Sequence, residues 1–264
     1  MDEFSYFPHI RAAGLTDIGK VRPVNQDLVF CSLDPVGVLP NLFVVADGMG
    51  GHKAGDLASS EAVRCFVDYI EDHSTEADDI VVLMKTSLEL ANRYVYYLSK
   101  ESDDYQGMGT TFVAATIVGH KLYCINVGDS RLYTVNRPGE RPMTLERVTE
   151  DHSIVEMLLK EGLITEDQAR NHPQKNMVTR AVGIDEKVEI DDFCVDTTDL
   201  TKVLLCSDGL TNMVTDLAIL NILTSGMDVE ETAAVLVDRA NENGGRDNIS
   251  VVVIDLDGEE LKNA

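Results

Sequence analysis

Tryptophan is absent from the 264 residues, and the five cysteines form no C-x-x-C pair. Cys31, Cys65, Cys124, Cys194 and Cys206 are scattered and odd in number. That excludes a disulfide framework or a thiolate zinc site as the basis of folding and points to reduced thiols in a cytoplasmic setting. The start, Met1-Asp2-Glu3-Phe4, has neither a basic nor an apolar stretch, so no secretory signal is expected. No apolar run reaches about 18 residues, so no transmembrane helix is expected. Basic residues are scarce: 22 Lys and Arg stand against 46 Asp and Glu, a net charge of −24. A field of that sign repels a phosphate backbone and argues against nucleic-acid binding. It also opposes a phosphorylated substrate unless local cations reverse it, and converging carboxylates would call for divalent metal. Most of the acidic residues are expected on a solvated surface. No serine triad or activated-cysteine motif is found.

The length is enough to bury a sizeable core without disulfide or zinc. Strands are expected over 9–18, 28–33 and 41–46, with a loop over 19–27 between the first two. Helices are expected over 54–70 and from about 78 to 99, each with an apolar stripe that reads as core. From Thr110 the texture changes to short strands over 110–118, 121–127, 131–135 and 147–149, separated by glycine-containing turns. Two short helices over 153–161 and 165–170 follow, the second opening on a Thr165/Gln168 capping box. Asp151-His152-Ser153 reads as the cap of the first. Strands over 188–195 and 202–206, helices over about 216–225 and 229–241, and a last strand over 248–256 complete the chain. Strands cluster into meanders and helices come in pairs. The pattern is α+β, with packed antiparallel sheets and helix pairs outside, in one domain spanning 1–264.

Leu42-Phe43-Val44-Val45-Ala46-Asp47-Gly48-Met49-Gly50-Gly51-His52 is an apolar strand running into an aspartate and a glycine cluster. A hard carboxylate and exposed carbonyls at a strand end suit Mg²⁺ or Mn²⁺. The pattern recurs at Val203 to Asp208-Gly209, at Ile125-Asn126-Val127-Gly128-Asp129, and before a strand at Gly244-Gly245-Arg246-Asp247. If those strands are neighbours, their ends bring four carboxylates to one place. Two bridged cations acidify a water and neutralise a phosphate ester, which removes the need for a protein nucleophile.

Asp47-Gly48-Met49-Gly50-Gly51-His52, Met108-Gly109-Thr110-Thr111, Val127-Gly128-Asp129-Ser130-Arg131, Cys206-Ser207-Asp208-Gly209-Leu210 and Gly244-Gly245-Arg246-Asp247-Asn248-Ile249 together resemble the metal-dependent Ser/Thr protein phosphatases of the PPM (PP2C) family, in their compact bacterial form. The resemblance spans about Gly14 to Ile254. It implies a four-layer α/β/β/α sandwich that hydrolyses phosphoserine and phosphothreonine by attack of a metal-bridging hydroxide. It implies Mn²⁺ or Mg²⁺, two in the core site, bridged by Asp47, with the Gly48 carbonyl on one and Asp208 and Asp247 on the other. Asp129, with Asp208, would hold a third ion. Gln26 and Asp27 would hold metal-bound waters from outside the ligand set. Arg22 would grip the substrate phosphate, a task suited to a guanidinium fork. The partners implied are phosphorylated proteins, including a cognate Ser/Thr kinase and its substrates.

Two positions depart from the family. Gln26 stands where members often have Glu, so weaker metal binding without loss of activity is expected. Met49 stands where eukaryotic members have a histidine acid; His52, three residues on, is a candidate acid, with a local hydrogen-bonding role as the alternative. Arg131 is expected in structural ion pairs. Residues 153–182 fall where the family has a flap beside the active site. The rival readings are an inactive member acting as a binding or regulatory module, and a phosphatase acting on an anti-anti-sigma-like protein. The intact carboxylates argue against the first and the absence of an attached sensor segment against the second.

Overall fold

The computed structural model describes residues 10–50, 54–73, 79–137, 139, 142–170 and 172–256. Two antiparallel sheets form its centre. One contains β1 (Arg11–Asp17), β7 (Arg131–Asn136), β8 (Thr144–Arg147), β10 (Leu200–Cys206) and β11 (Ile249–Asp255), in the order β1-β11-β10-β7-β8. The other contains β2 (Asp27–Ser32), β3 (Leu42–Met49), β5 (Phe112–Val118), β6 (Lys121–Val127) and β9 (Asp191–Asp196), in the order β2-β3-β5-β6-β9. A two-residue strand, β4 (Gly109–Thr110), pairs with the end of β3.

Antiparallel strands usually alternate apolar and polar residues, because one face meets water. Here the central strands are apolar on both faces, because both are covered. Phe43 and Val45 of β3 pack between the sheets with Val113, Leu122, Val203, Leu205, Val252 and Ile254. Val44 and Ala46, one residue out of phase, pack outward against α1 (Ala54–Asp72) and α2 (Ile80–Leu98). On the other sheet Leu204, Cys206, Val251 and Val253 pack outward against α6 (Asp216–Leu223) and α7 (Val229–Glu242). The period of two along each strand therefore feeds two different cores. The result is the four-layer sandwich that the resemblance implies.

Helix starts follow their caps. The Asp79 carboxylate accepts the Val81 and Val82 N–H groups at 2.8 and 3.2 Å and opens α2. Asp228 accepts from Glu231 N–H at 2.7 Å and opens α7. Ser153 caps α3 (Ile154–Lys160) by accepting from Glu156 N–H at 3.2 Å, as expected. Thr165 and Gln168 exchange the two bonds of a capping box at the start of α4 (Glu166–Arg170).

Some boundaries differ from the sequence reading. The strand expected over 147–149 lies at Thr144–Arg147, where its backbone pairs with β7. Asp47 does not end its strand: β3 runs on through Gly48 and Met49, because β4 supplies partners there. Asp208-Gly209 is not a turn but opens a single helical turn, α5 (Asp208–Thr211).

Candidate metal centre

The site begins with register. β2 and β3 pair so that Asp27 lies opposite Asp47. Two carboxylates opposite each other on neighbouring strands repel and weaken an ordinary sheet. Local bonds hold them there. The Asp47 N–H donates to Thr111 Oγ1 at 3.0 Å, and the Asp47 carbonyl accepts from Thr111 N–H at 2.9 Å. Thr111 Oγ1 shares a 2.7 Å bond with Ser130 Oγ, which ties the β3 end to the turn that carries Asp129. Ser207 Oγ donates to Asp27 Oδ2 at 2.8 Å and accepts from Ser250 N–H at 3.0 Å, so it does not cap α5.

Close backbone approach explains two glycines. A Cβ on Gly48 would stand 2.1 Å from the Gly55 carbonyl and 2.5 Å from that of Gln26. One on Gly209 would stand 1.8 Å from the Asn248 carbonyl. Neither position can hold a side chain without moving the backbone that carries a carboxylate.

A cavity of about 240 Å³ opens where these strand ends meet. Its lining includes Arg22, Gln26, Asp47, Gly48, Asp129, Asp208 and Asp247. Asp27 lies buried beside it. Every site residue expected among the described residues is thus gathered at one place; His52 lies outside them. A larger cavity of about 650 Å³ lies next door, between residues 151–175 and the start of α6. Its cations are mostly paired off, so the chemistry belongs to the smaller one.

The electrostatics are those of a site built for cations. Burial, and then Asp27, Asp208, Asp129 and Asp247, push the Asp47 carboxyl well above its ordinary range. Burial and Asp208 do the same for Asp129. Asp208 is pushed up to about 6 by burial and by Asp247, against the opposing pull of Lys175, Arg131 and Asn212. Asp27 is pushed up to about 7, chiefly by burial. Asp27 Oδ1, Asp208 Oδ1 and Gln26 Nε2 are buried without a hydrogen-bond partner. Buried, unpartnered carboxylate oxygens are costly unless an ion or its water satisfies them. Their hardness fits Mg²⁺ or Mn²⁺. Among the described residues, no three His, Cys, Asp or Glu side chains close on a single ion point. The carboxylates line the cavity instead, and Asp247 Oδ2 accepts from Arg22 Nη2 at 2.7 Å.

Arg131 makes the structural ion pair expected of it: its Nε and Nη2 reach Asp151 at 2.8 and 2.6 Å. Sequence reasoning gave no role to Asn248, which staples the site together. Its N–H donates to Asp247 Oδ1 at 2.9 Å, its Oδ1 accepts from Gln26 N–H at 2.9 Å, and its Nδ2 donates to the Ile18 and Val24 carbonyls at 3.0 and 3.1 Å. It thereby seats the loop that carries Arg22. The roles of Asn176 and Val178, which also line the cavity, carry no sequence signal, because they come from a distant segment.

Comparison with known proteins gives a consistent result. The family model for protein phosphatase 2C matches residues 22–249. The chain is 40% identical over 244 residues to the serine/threonine phosphatase stp of Listeria welshimeri, covering 91% of this chain and 93% of that protein. It is 34% identical to the protein phosphatase PhpP of Streptococcus pneumoniae, covering 94% and 98%. Among solved structures it is similar to a bacterial serine phosphatase, with a TM-score of 0.86, 32% identity and coverage of 96% and 100%. It is also similar to the catalytic domain of the phosphatase PstP in complex with two manganese ions, with a TM-score of 0.78, 32% identity and coverage of 94% and 98%.

Proposed function

The chain belongs to the protein phosphatase 2C family and is a metal-dependent protein serine/threonine phosphatase; from that premise we propose how its own residues perform the hydrolysis. Asp47, the Gly48 carbonyl, Asp208 and Asp247 would hold two divalent ions, Mn²⁺ or Mg²⁺, and Asp129 with Asp208 would hold a third where one binds. When bound, such ions acidify a water and offset the charge of the phosphoryl oxygens. Asp47 lines the cavity together with Asp129, Asp208 and Asp247, and each of these acts on its carboxyl, which supports reading it as the shared ligand. Asp27 and Gln26 orient water from behind that floor, and Gln26 does so without adding charge.

Arg22 has the second task. Its guanidinium is half exposed at the cavity rim and bonded to Asp247. An arriving phosphate offers the same fork a bidentate partner. The exchange gives a doubly negative group one fixed cation in a protein of net charge −24. The phosphoester bond to the Ser or Thr oxygen breaks, water supplies the new P–O bond, and a proton goes to the departing oxygen. His52 is the candidate donor of that proton.

The observation that carries this reading is the convergence of Asp47, Asp129, Asp208 and Asp247 on one cavity beside buried, unpartnered carboxylate oxygens. The same reading takes 1–264 as one phosphatase domain with residues 153–182 as its flap. It places the enzyme in the cytoplasm, opposite a Ser/Thr kinase whose products it dephosphorylates. Among the described residues no helix is long and apolar enough to cross a membrane. The test is hydrolysis of phosphoserine and phosphothreonine peptides with Mn²⁺ and with EDTA. Activity that needs Mn²⁺ and vanishes in Asp208→Ala is expected. Equal activity in EDTA, or in the variant, overturns the reading.

A further inference from the structure

Asp208 is held by more than its place on α5. Asn212 lies one helical turn on, and its backbone N–H donates to the Asp208 carbonyl at 2.8 Å. Its side-chain Nδ2 donates to Asp208 Oδ2, also at 2.8 Å. Asn212 Oδ1 then accepts from Lys175 Nζ at 3.1 Å.

The chemistry dictates this order. An ammonium carries only donors and an ionised carboxylate only acceptors. Reversing the Asn212 amide would set oxygen against oxygen and N–H against ammonium. A carboxylate at 212 would satisfy Lys175 and repel Asp208, and a cation would do the opposite. An amide serves both neighbours. With Oδ2 occupied, Asp208 Oδ1 is the oxygen left buried and without a partner.

Lys175 comes from a separate part of the chain. It sits in the turn closed by the Lys175 N–H to His172 carbonyl bond, within the segment proposed as the flap. Among the described residues it closes no ion pair with a carboxylate. It lines the 650 Å³ groove beside Asn212, whereas its neighbour Asn176 lines the 240 Å³ cavity. This turn therefore forms part of the wall between the two spaces.

We propose that Lys175 and Asn212 are a positioning relay: they orient Asp208 for its ion and make metal affinity depend on the seating of the flap. The relay rests on the reading of Asp208 as an ion ligand. Partners that orient a ligand from behind commonly change metal affinity by about 10- to 100-fold when removed.

The experiment is calorimetric titration of Mn²⁺ into the EDTA-stripped, desalted full chain, with the unfolding midpoint measured in parallel. Lys175→Met and Asn212→Leu each weaken Mn²⁺ binding about tenfold. The double variant is no weaker than the worse single, because both break one chain of contacts. Lys175→Arg restores most of the affinity. A merely structural role would lower the midpoint and leave Mn²⁺ affinity alone. Where Asn212→Leu does not fold, Lys175→Met and Lys175→Arg carry the test, because Lys175 is partly exposed. Wild-type affinity in Lys175→Met, or losses that multiply in the double variant, overturns the relay. Mn²⁺-dependent hydrolysis by the wild type with Lys175→Met unchanged defeats the relay alone. A wild type that binds no Mn²⁺ defeats the metal reading with it.

Discussion

On the floor of the cavity each proposed carboxylate ligand lies within two residues of the end of a paired strand, whereas among the described residues no strand runs between Arg147 and Asp191, where the flap is proposed. The floor is placed by register: Asp27 opposite Asp47, and Asp208 two residues after β10. The proposed flap is placed by side chains, short caps and isolated backbone bridges, Ser153 with Val178 and Val182 with Thr110. Arg147 reaches Glu156 at 2.8 Å, Arg180 reaches Asp191 at 2.7 Å, and His152 Nδ1 accepts from Gly128 N–H at 2.9 Å. Met157, Leu163 and Met177 of the flap stand exposed, whereas the strand cores beneath the floor exclude water. Two-sheet packing gives the rigidity that ligand geometry demands, whereas connecting segments vary more readily.

The two regions should break differently. Outside the ion ligands themselves, the largest effect is expected at Arg22, which stands at the rim of the floor. Arg22→Ala should lower kcat/KM for a phosphopeptide by about 10²-fold, close to the loss of one charge-assisted fork, and leave Mn²⁺ affinity near wild type. A loss confined to Mn²⁺ binding would mean that Arg22 serves Asp247 rather than substrate.

The glycines sharpen the contrast. Gly209→Ala on the floor must displace the Asn248 backbone and should cost about 1–3 kcal/mol or more, read as a lower unfolding midpoint, together with metal affinity. Gly162→Ala in the flap meets nothing within 4 Å, and only its φ of +69° is unfavourable. It should cost about 1–2 kcal/mol and leave Mn²⁺ binding intact. Equal effects on Mn²⁺ affinity would remove the distinction between the two regions.

The floor has its own pH response, set by buried carboxyls whose pKa is raised. Asp27 at about 7 and Asp208 at about 6 lie above the unfolded carboxylate range. The stability they contribute is complete below about pH 4 and is lost as pH rises through about 6 to 7. In EDTA the unfolding midpoint should therefore fall by a few degrees between pH 5.5 and 8, and Asp27→Asn should flatten that fall. A midpoint that climbs with pH in EDTA would contradict the burial of these groups. Leu163→Ala, on the exposed flap, should have the smallest effect. A change of about two- to fivefold in KM that differs between peptides, with Mn²⁺ affinity unmoved, is expected.

The floor was legible in the sequence and much of its support was not. The strands at Leu42–Met49, Lys121–Val127, Leu200–Cys206 and Ile249–Asp255 announce themselves as apolar runs bounded by turn residues. The aspartates at their ends follow from that. β4 and α5 do not, because two and four residues carry no periodicity. Nor can spacing along the chain place Asp27 opposite Asp47, since register depends on the paired strand. Asn248 and Lys175 act through tertiary contacts that a single sequence does not display.

Titration of Mn²⁺ into wild type and Asp47→Ala tests the central claim most directly. If Asp47 bridges the ions, wild type binds at least two and the variant loses both together. Retention of either ion at wild-type affinity would contradict the bridge.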